Sequence, residues 1–195
     1  MVRSVRGTGG PALRRAALAL LVLLSLLTGC GSGEPETREA FNDTDVMFLQ
    51  MGLAQITEGE QLAQRAQDRS TNAELKAVAT ELRQQWQTES GTMQRWLMGW
   101  ERPLAADPST GVHAGHGDLH ALQPDDLTTL DAARGADFDR TAVALILGNL
   151  HNSVETMRME SAGGAYPPAK SLADQMAAAR QKQIQRLLAL APTIQ

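Results

Sequence analysis

The sequence predicts an all-α fold: a four-helix bundle of two duplicated helical hairpins joined by a long crossover loop that carries a short helix. Three observations predict it. Aromatic residues are scarce (three Trp, three Phe, one Tyr) while Ala, Leu, Gln, Glu and Arg abound, a helix-favouring composition. Four long stretches repeat apolar residues every three or four positions, the spacing of one helix face. The second half of the chain also maps onto the first at one ungapped offset of 94 residues.

The first helix is predicted from about Thr44 to Asp68, with Leu49, Leu53, Ile56 and Leu62 near helical spacing. The second opens at a Thr71-Asn72 cap with Glu74 in its first turn, where a negative charge suits the helix dipole. Its stripe of Leu75, Val78, Leu82, Trp86, Met93, Leu97 and Trp100 steps as bundle helices do, and Pro103 ends it. Residues 102–123 hold Pro, Gly and His without a period, which predicts a loop; Pro124-Asp125-Asp126 then starts a short helix that stops at Gly135. A third long helix runs from Asp137 to about Glu160, and the Gly163-to-Pro168 stretch (GGAYPP) makes a turn. The fourth runs from Ala169 to Leu190, with Leu172, Met176, Ile184 and Leu187 on one face. The offset sets Asp45 on Asp139, Leu53 on Leu147, Ile56 on Leu150, Leu82 on Met176 and Glu89 on Gln183, as a duplicated hairpin would.

Ahead of the bundle the chain reads as an export signal. Residues 1–29 carry four arginines and no acid, and the apolar run Ala16 to Leu27 is shorter than the ~20 residues of a permanent span. Leu27-Thr28-Gly29-Cys30 resembles the lipobox of bacterial lipoproteins, in which the cysteine is acylated and becomes the mature N-terminus. Cys30 is the sole cysteine, so no intrachain disulfide can form and its presence calls for another explanation. The expected organisation is a signal peptide over 1–29, a flexible tether over 30–40 and a bundle over 41–192, its repeats at 41–100 and 135–192 and its linker at 101–134. The expected location is at a cell membrane, facing outside the cytoplasm, held by a lipid on Cys30. Removal of 1–29 leaves 14 basic residues against 22 acidic ones, which argues against nucleic acid or an anionic membrane face as partner.

Several short runs are similar to the family catalogued as domain of unknown function 305. They are Gly135-Ala136-Asp137-Phe138-Asp139-Arg140 after the leucines at 127 and 130, Phe48-Leu49-Gln50-Met51, and Met93-Gln94-Arg95-Trp96-Leu97. The resemblance covers about residues 41–190. It implies a ferritin-like four-helix bundle, commonly exported, with copper or silver binding in some members through a Met-Ile-x-His-His motif in each repeat and a later Gln-x-x-Glu-Ile-x-x-Met. Here the His-His pair aligns with Gln55-Ile56 and with Asn149-Leu150, the later Gln with Trp86 and Arg180, and the Glu with Glu89 and Gln183. Amide and aliphatic side chains do not replace imidazole as ligands, so this site is expected to have become packing. Ile56 and Leu150 should then be largely buried, and Gln55 and Asn149 beside them should each either bond a neighbouring helix or point to solvent.

The strongest remaining constellation is His113, His116, Asp118 and His120, which gathers three of the four histidines and a carboxylate within eight residues. Imidazoles with one carboxylate suit copper(II), nickel or zinc. Copper is the expected ion, with a solvated polar loop as the plain alternative. His151, just after Asn149-Leu150, and Glu89 are weaker remnant-ligand candidates. The methionines Met47, Met51, Met93, Met98, Met157, Met159 and Met176 could ligate copper(I), but methionine at helical spacing ordinarily fills cores. No Gly-x-Ser-x-Gly, phosphate-cradling loop or His-Glu-x-x-His appears, so no enzyme is expected. Trp96, Trp100 and Tyr166 read as core caps or as an apolar patch for a partner. A metal-free scaffold that docks another envelope protein is the competing expectation.

Overall fold

A computed structural model describes residues 40–107 and 122–195, and among these every regular element is helical. In chain order they are α1 (Asp43–Arg69), α2 (Ala73–Gly99), α3 (Pro124–Ala132), α4 (Gly135–Gly163) and α5 (Pro167–Leu190), followed by a 3-10 turn, Ala191–Thr193. Helix ends follow local chemistry. Asn42 caps α1 by accepting from the Asp45 amide (3.1 Å), while the Asp45 carboxylate accepts from the Asn42 amide (2.6 Å), a reciprocal capping box. Asn72 caps α2 through bonds from the amides of Glu74 and Leu75. The C-terminus of α2 closes in a Schellman turn: Arg102 N donates to Leu97 O (2.8 Å) and Glu101 N to Met98 O (3.1 Å), with Glu101 left-handed at φ 56°.

Two boundaries differ from expectation. α4 starts at Gly135 rather than Asp137, because glycine accepts the φ of +53° that turns the chain out of α3. α5 starts at Pro167 rather than Ala169, because two prolines at the first turn are pre-set for a helix start and give up amides that lack intrahelical partners there anyway.

The hairpins α1/α2 and α4/α5 meet mainly where α1 packs on α4, and α2 and α5 touch much less. Adding 94 carries the end of α1, Arg69, onto the end of α4, Gly163, and the start of α2, Ala73, onto the start of α5, Pro167. The repeats even meet at equivalent positions: Asn149 Nδ2 donates to Gln55 O at 2.9 Å. The buried core falls into two clusters. One, around Leu62, Leu82, Trp86, Ile146 and Leu150, lies toward the α1–α2 turn. The other, around Phe48, Leu49, Met93, Met157 and Met176, lies at the end where the chain enters at Phe41. Met93, Met157 and Met176 are therefore core, while Met98 is 59% exposed. α3 seals the first cluster with Leu130, and Asp131 holds Arg65 and Arg69 in exposed ion pairs. No described helix is long and apolar enough to cross a membrane.

Candidate functional site

A layer of buried polar side chains lies where the two clusters meet, at the heights of the aligned ligand positions. α5 brings Arg180 there because it sits four residues from Met176 and four from Ile184, on the apolar stripe itself. Its guanidinium is 0% exposed, pairs with the Glu89 carboxylate from α2, donates to Gln85 Oε1 (2.9 Å) and lies 5.7 Å from the Trp86 ring centre. Gln183 Nε2 donates to the same Gln85 oxygen at 2.8 Å. Burial raises the Glu89 pKa and lowers that of Arg180, and the attraction between them opposes both shifts. Arg180 Nε, Gln183 Oε1 and Asn149 Oδ1 find no partner, so the layer is crowded rather than perfectly satisfied.

On the other side of the layer, Gln55 donates to Thr156 Oγ1 (2.8 Å) and Asn149 to the Gln55 carbonyl, so both amides bond across helices as expected. Gly59 makes the arrangement fit, since a Cβ there would lie 2.5 Å from Trp86 Cη2 and 2.7 Å from Asn149 Oδ1. Leu150 is fully buried. Ile56 is not: it is half-buried and lines a cleft of about 1240 Å3 along the outer side of α1 and α2. The two-fold relation between repeats breaks there, because the face of α1 that carries Ile56 turns partly toward this cleft.

This layer does not fit a metal ion. Its acid is engaged by an arginine that already supplies the positive charge, and its other donors are amides. Among the described residues no three of His, Cys, Asp and Glu lie close enough to share an ion. Glu89 and His151 do not come together: His151 is exposed on α4, its Nδ1 2.7 Å from its own helix's Leu147 O. Of the other candidates, His113, His116, Asp118 and His120 lie outside the described residues, as does Cys30. The segments flanking the loop are described. Gln50 Nε2 donates to Pro103 O (2.8 Å), and Glu58 is bonded by the backbone of Leu122, so the crossover leaves and rejoins the bundle along α1.

A second buried group escaped the sequence reading. Asp45, 0% exposed, accepts from the amides of Asn42, Ala165 (3.1 Å) and Tyr166 (2.9 Å), which ties the start of α1 to the α4–α5 turn. Glu160, also 0% exposed, faces it, and no backbone amide, hydroxyl or cation donates to either of its oxygens. Burial first, then the hydrogen bond and negative charge of Asp45, push Glu160 up to about 8 against the pull of Lys170. The backbone donors, with Glu160, hold Asp45 below the usual carboxylate range despite its burial. The pair therefore shares one proton at neutral pH. Gly164 is required beside it, because a Cβ there would stand 2.2 Å from Glu160 Oε1. By the 94-residue offset Glu160 corresponds to Ala66, and Asp139 accepts only from Thr71 Oγ1 (3.3 Å), so the acid pair has no counterpart at the other end.

Three solved structures share this fold. The protein from Streptomyces coelicolor, a predicted secreted DUF305 protein, aligns with TM-score 0.68 at 17% identity over 75% of this chain and 91% of its own. A DUF305 fragment from Deinococcus radiodurans aligns with TM-score 0.66 at 17% identity over 78% and 97%. CopM in the Cu(II)-bound form aligns with TM-score 0.65 at 21% identity over 76% and 96%. No curated protein sequence matches the chain. Residues 45–191 match the family described as Domain of unknown function (DUF305), a span that takes in almost all of the bundle, and the chain belongs to that family.

Proposed function

We propose that this chain is an exported, lipid-anchored accessory protein of the cell envelope that binds a transition metal, copper first, through His113, His116, Asp118 and His120. The observation that carries the reading is the division of donors. The buried layer is filled by an arginine, amides and a tryptophan, whereas the crossover gathers three of the four histidines and an acid. Neutral imidazoles with one carboxylate suit copper(II) over harder ions. The copper-bound state of CopM, a protein of the same fold, supports the choice of ion. The predicted secretion of the Streptomyces coelicolor relative supports an extracytoplasmic location, and Cys30 would carry the anchor. The protein has no catalytic role in this reading: it holds or hands over the ion.

Isothermal titration of residues 31–195 with copper(II) and zinc tests the reading. Binding tighter than ~100 μM (about −5.5 kcal/mol) is expected. It should vanish in the His113→Ala/His116→Ala/His120→Ala variant; unchanged affinity there would sink the proposal. The competing reading, a scaffold for an envelope protein, draws support from the cleft along α1 and α2, lined by glutamines and apolar side chains. Crosslinking in intact cells would favour it if one dominant partner were recovered with or without a chelator.

A further inference from the structure

We propose that the entry end of the bundle seats on the phospholipid bilayer that holds the anchor, so that the helices stand up from the membrane. This rests on the anchoring part of the reading above and goes beyond it.

The observations are geometric. Phe41 stacks on Trp100 at 4.2 Å, and Tyr166 meets both Trp96 (5.4 Å) and Trp100 (5.1 Å) edge to face. All four residues are half-buried, so part of each remains exposed. Two of the three exposed large apolar side chains of the described residues, Met98 (59%) and Leu104 (43%), lie at this same end. The patch is held rigidly. Asp45 fixes the Tyr166 amide, the Schellman turn fixes Trp100 to Arg102, and Gln50 fixes the carbonyls of Pro103 and Ala105. A rigid group of Trp and Tyr with exposed Met and Leu is the composition that favours a bilayer–water interface, where amphipathic rings sit at headgroup level.

The chain outside the structure says what covers the patch. The bundle is entered at this end, and nine residues, or ten Cα–Cα steps, separate Cys30 from Ala40. Fully extended they reach about 35 Å, and as a coil about 17 Å. The aromatic end is thus within reach of the bilayer surface at all times, whereas the far end of α1, 27 residues on, is about 40 Å further by the helix rise. The acidic excess of the whole chain argues against an electrostatic hold. Exposed charges at this end come closer to balance, however: Arg95 and Arg102 stand against Asp43, Glu101 and Asp107. The hold is apolar and aromatic, and a zwitterionic surface suffices.

The experiment uses the full lipidated protein, purified from membranes and reconstituted on phosphatidylcholine vesicles. Sedimentation with the vesicles is read first, and tryptophan emission is then read with lipids brominated near the headgroup end of the acyl chain. Expected is sedimentation with strong quenching from Trp96 and Trp100, and loss of that quenching, with unchanged sedimentation and melting temperature, in Met98→Glu/Leu104→Glu. Sedimentation without quenching overturns the docking and leaves the anchor standing. Protein left in the supernatant overturns the anchor and the docking with it.

Discussion

Replacing Glu160 by Gln should change how stability responds to pH, with a sign the geometry dictates. The carboxyl is fully buried against Asp45 and holds its proton up to about 8, against an ordinary value of 4.5. Between those two values the folded chain keeps a proton that the unfolded chain has released. Stability conferred by this group is therefore complete below pH 4.5, falls as pH rises through the window and is gone above about 8. The whole shift corresponds to at most about 4.8 kcal/mol at 1.36 kcal/mol per unit. Local relaxation and water entry around the ionised carboxylate bring the expected loss to ~2–3 kcal/mol. The amide of Glu160→Gln cannot ionise and can donate to Asp45. The variant should match the wild type near pH 5 and exceed it by that amount at pH 9, measured by urea denaturation across the range. Parallel profiles, or a variant weaker at pH 9, would refute the shared proton.

Three further outcomes follow from single contacts. Arg180→Met alone should cost about 3 kcal/mol, because it leaves Glu89 buried without its cation, and adding Glu89→Leu should restore stability to within ~1 kcal/mol by urea denaturation. Leu150→Ala should cost ~2–5 kcal/mol through a cavity in the first core cluster and leave copper(II) affinity by calorimetry unchanged. Glu101→Gly should raise stability by ~0.5–1 kcal/mol, since the exposed Glu101 pays for a left-handed backbone that glycine adopts freely; a lower melting temperature would contradict it.

The bundle was legible because its helices carry long, unbroken stripes, good caps and a repeat of fixed offset, all local or periodic features. Arg180 shows where that kind of reading ends. Its four-residue steps from Met176 and to Ile184 place it on the buried stripe, but a period says which face a residue occupies and nothing about the partner that makes burial tolerable. That partner, Glu89, is 91 residues away. Asp45 and Glu160 were missed for the same reason: each looks like an ordinary helical acid until α1 and the α4–α5 turn meet. Ile56 went astray because the offset implied a symmetry that the packing does not keep at the cleft. The crossover has no period at all, so the pattern there yields a donor inventory without a geometry.

In the proposed function any bound ion sits in the crossover and not in the bundle interior. Amide signals of isotope-labelled protein, recorded as copper(II) is added, test it most directly, because the paramagnetic ion broadens only nearby groups. Broadening should centre on His113, His116, Asp118 and His120, with the signals of Glu89, Arg180 and Gln183 unaffected. Broadening centred on those three residues would contradict it and return the metal to the core.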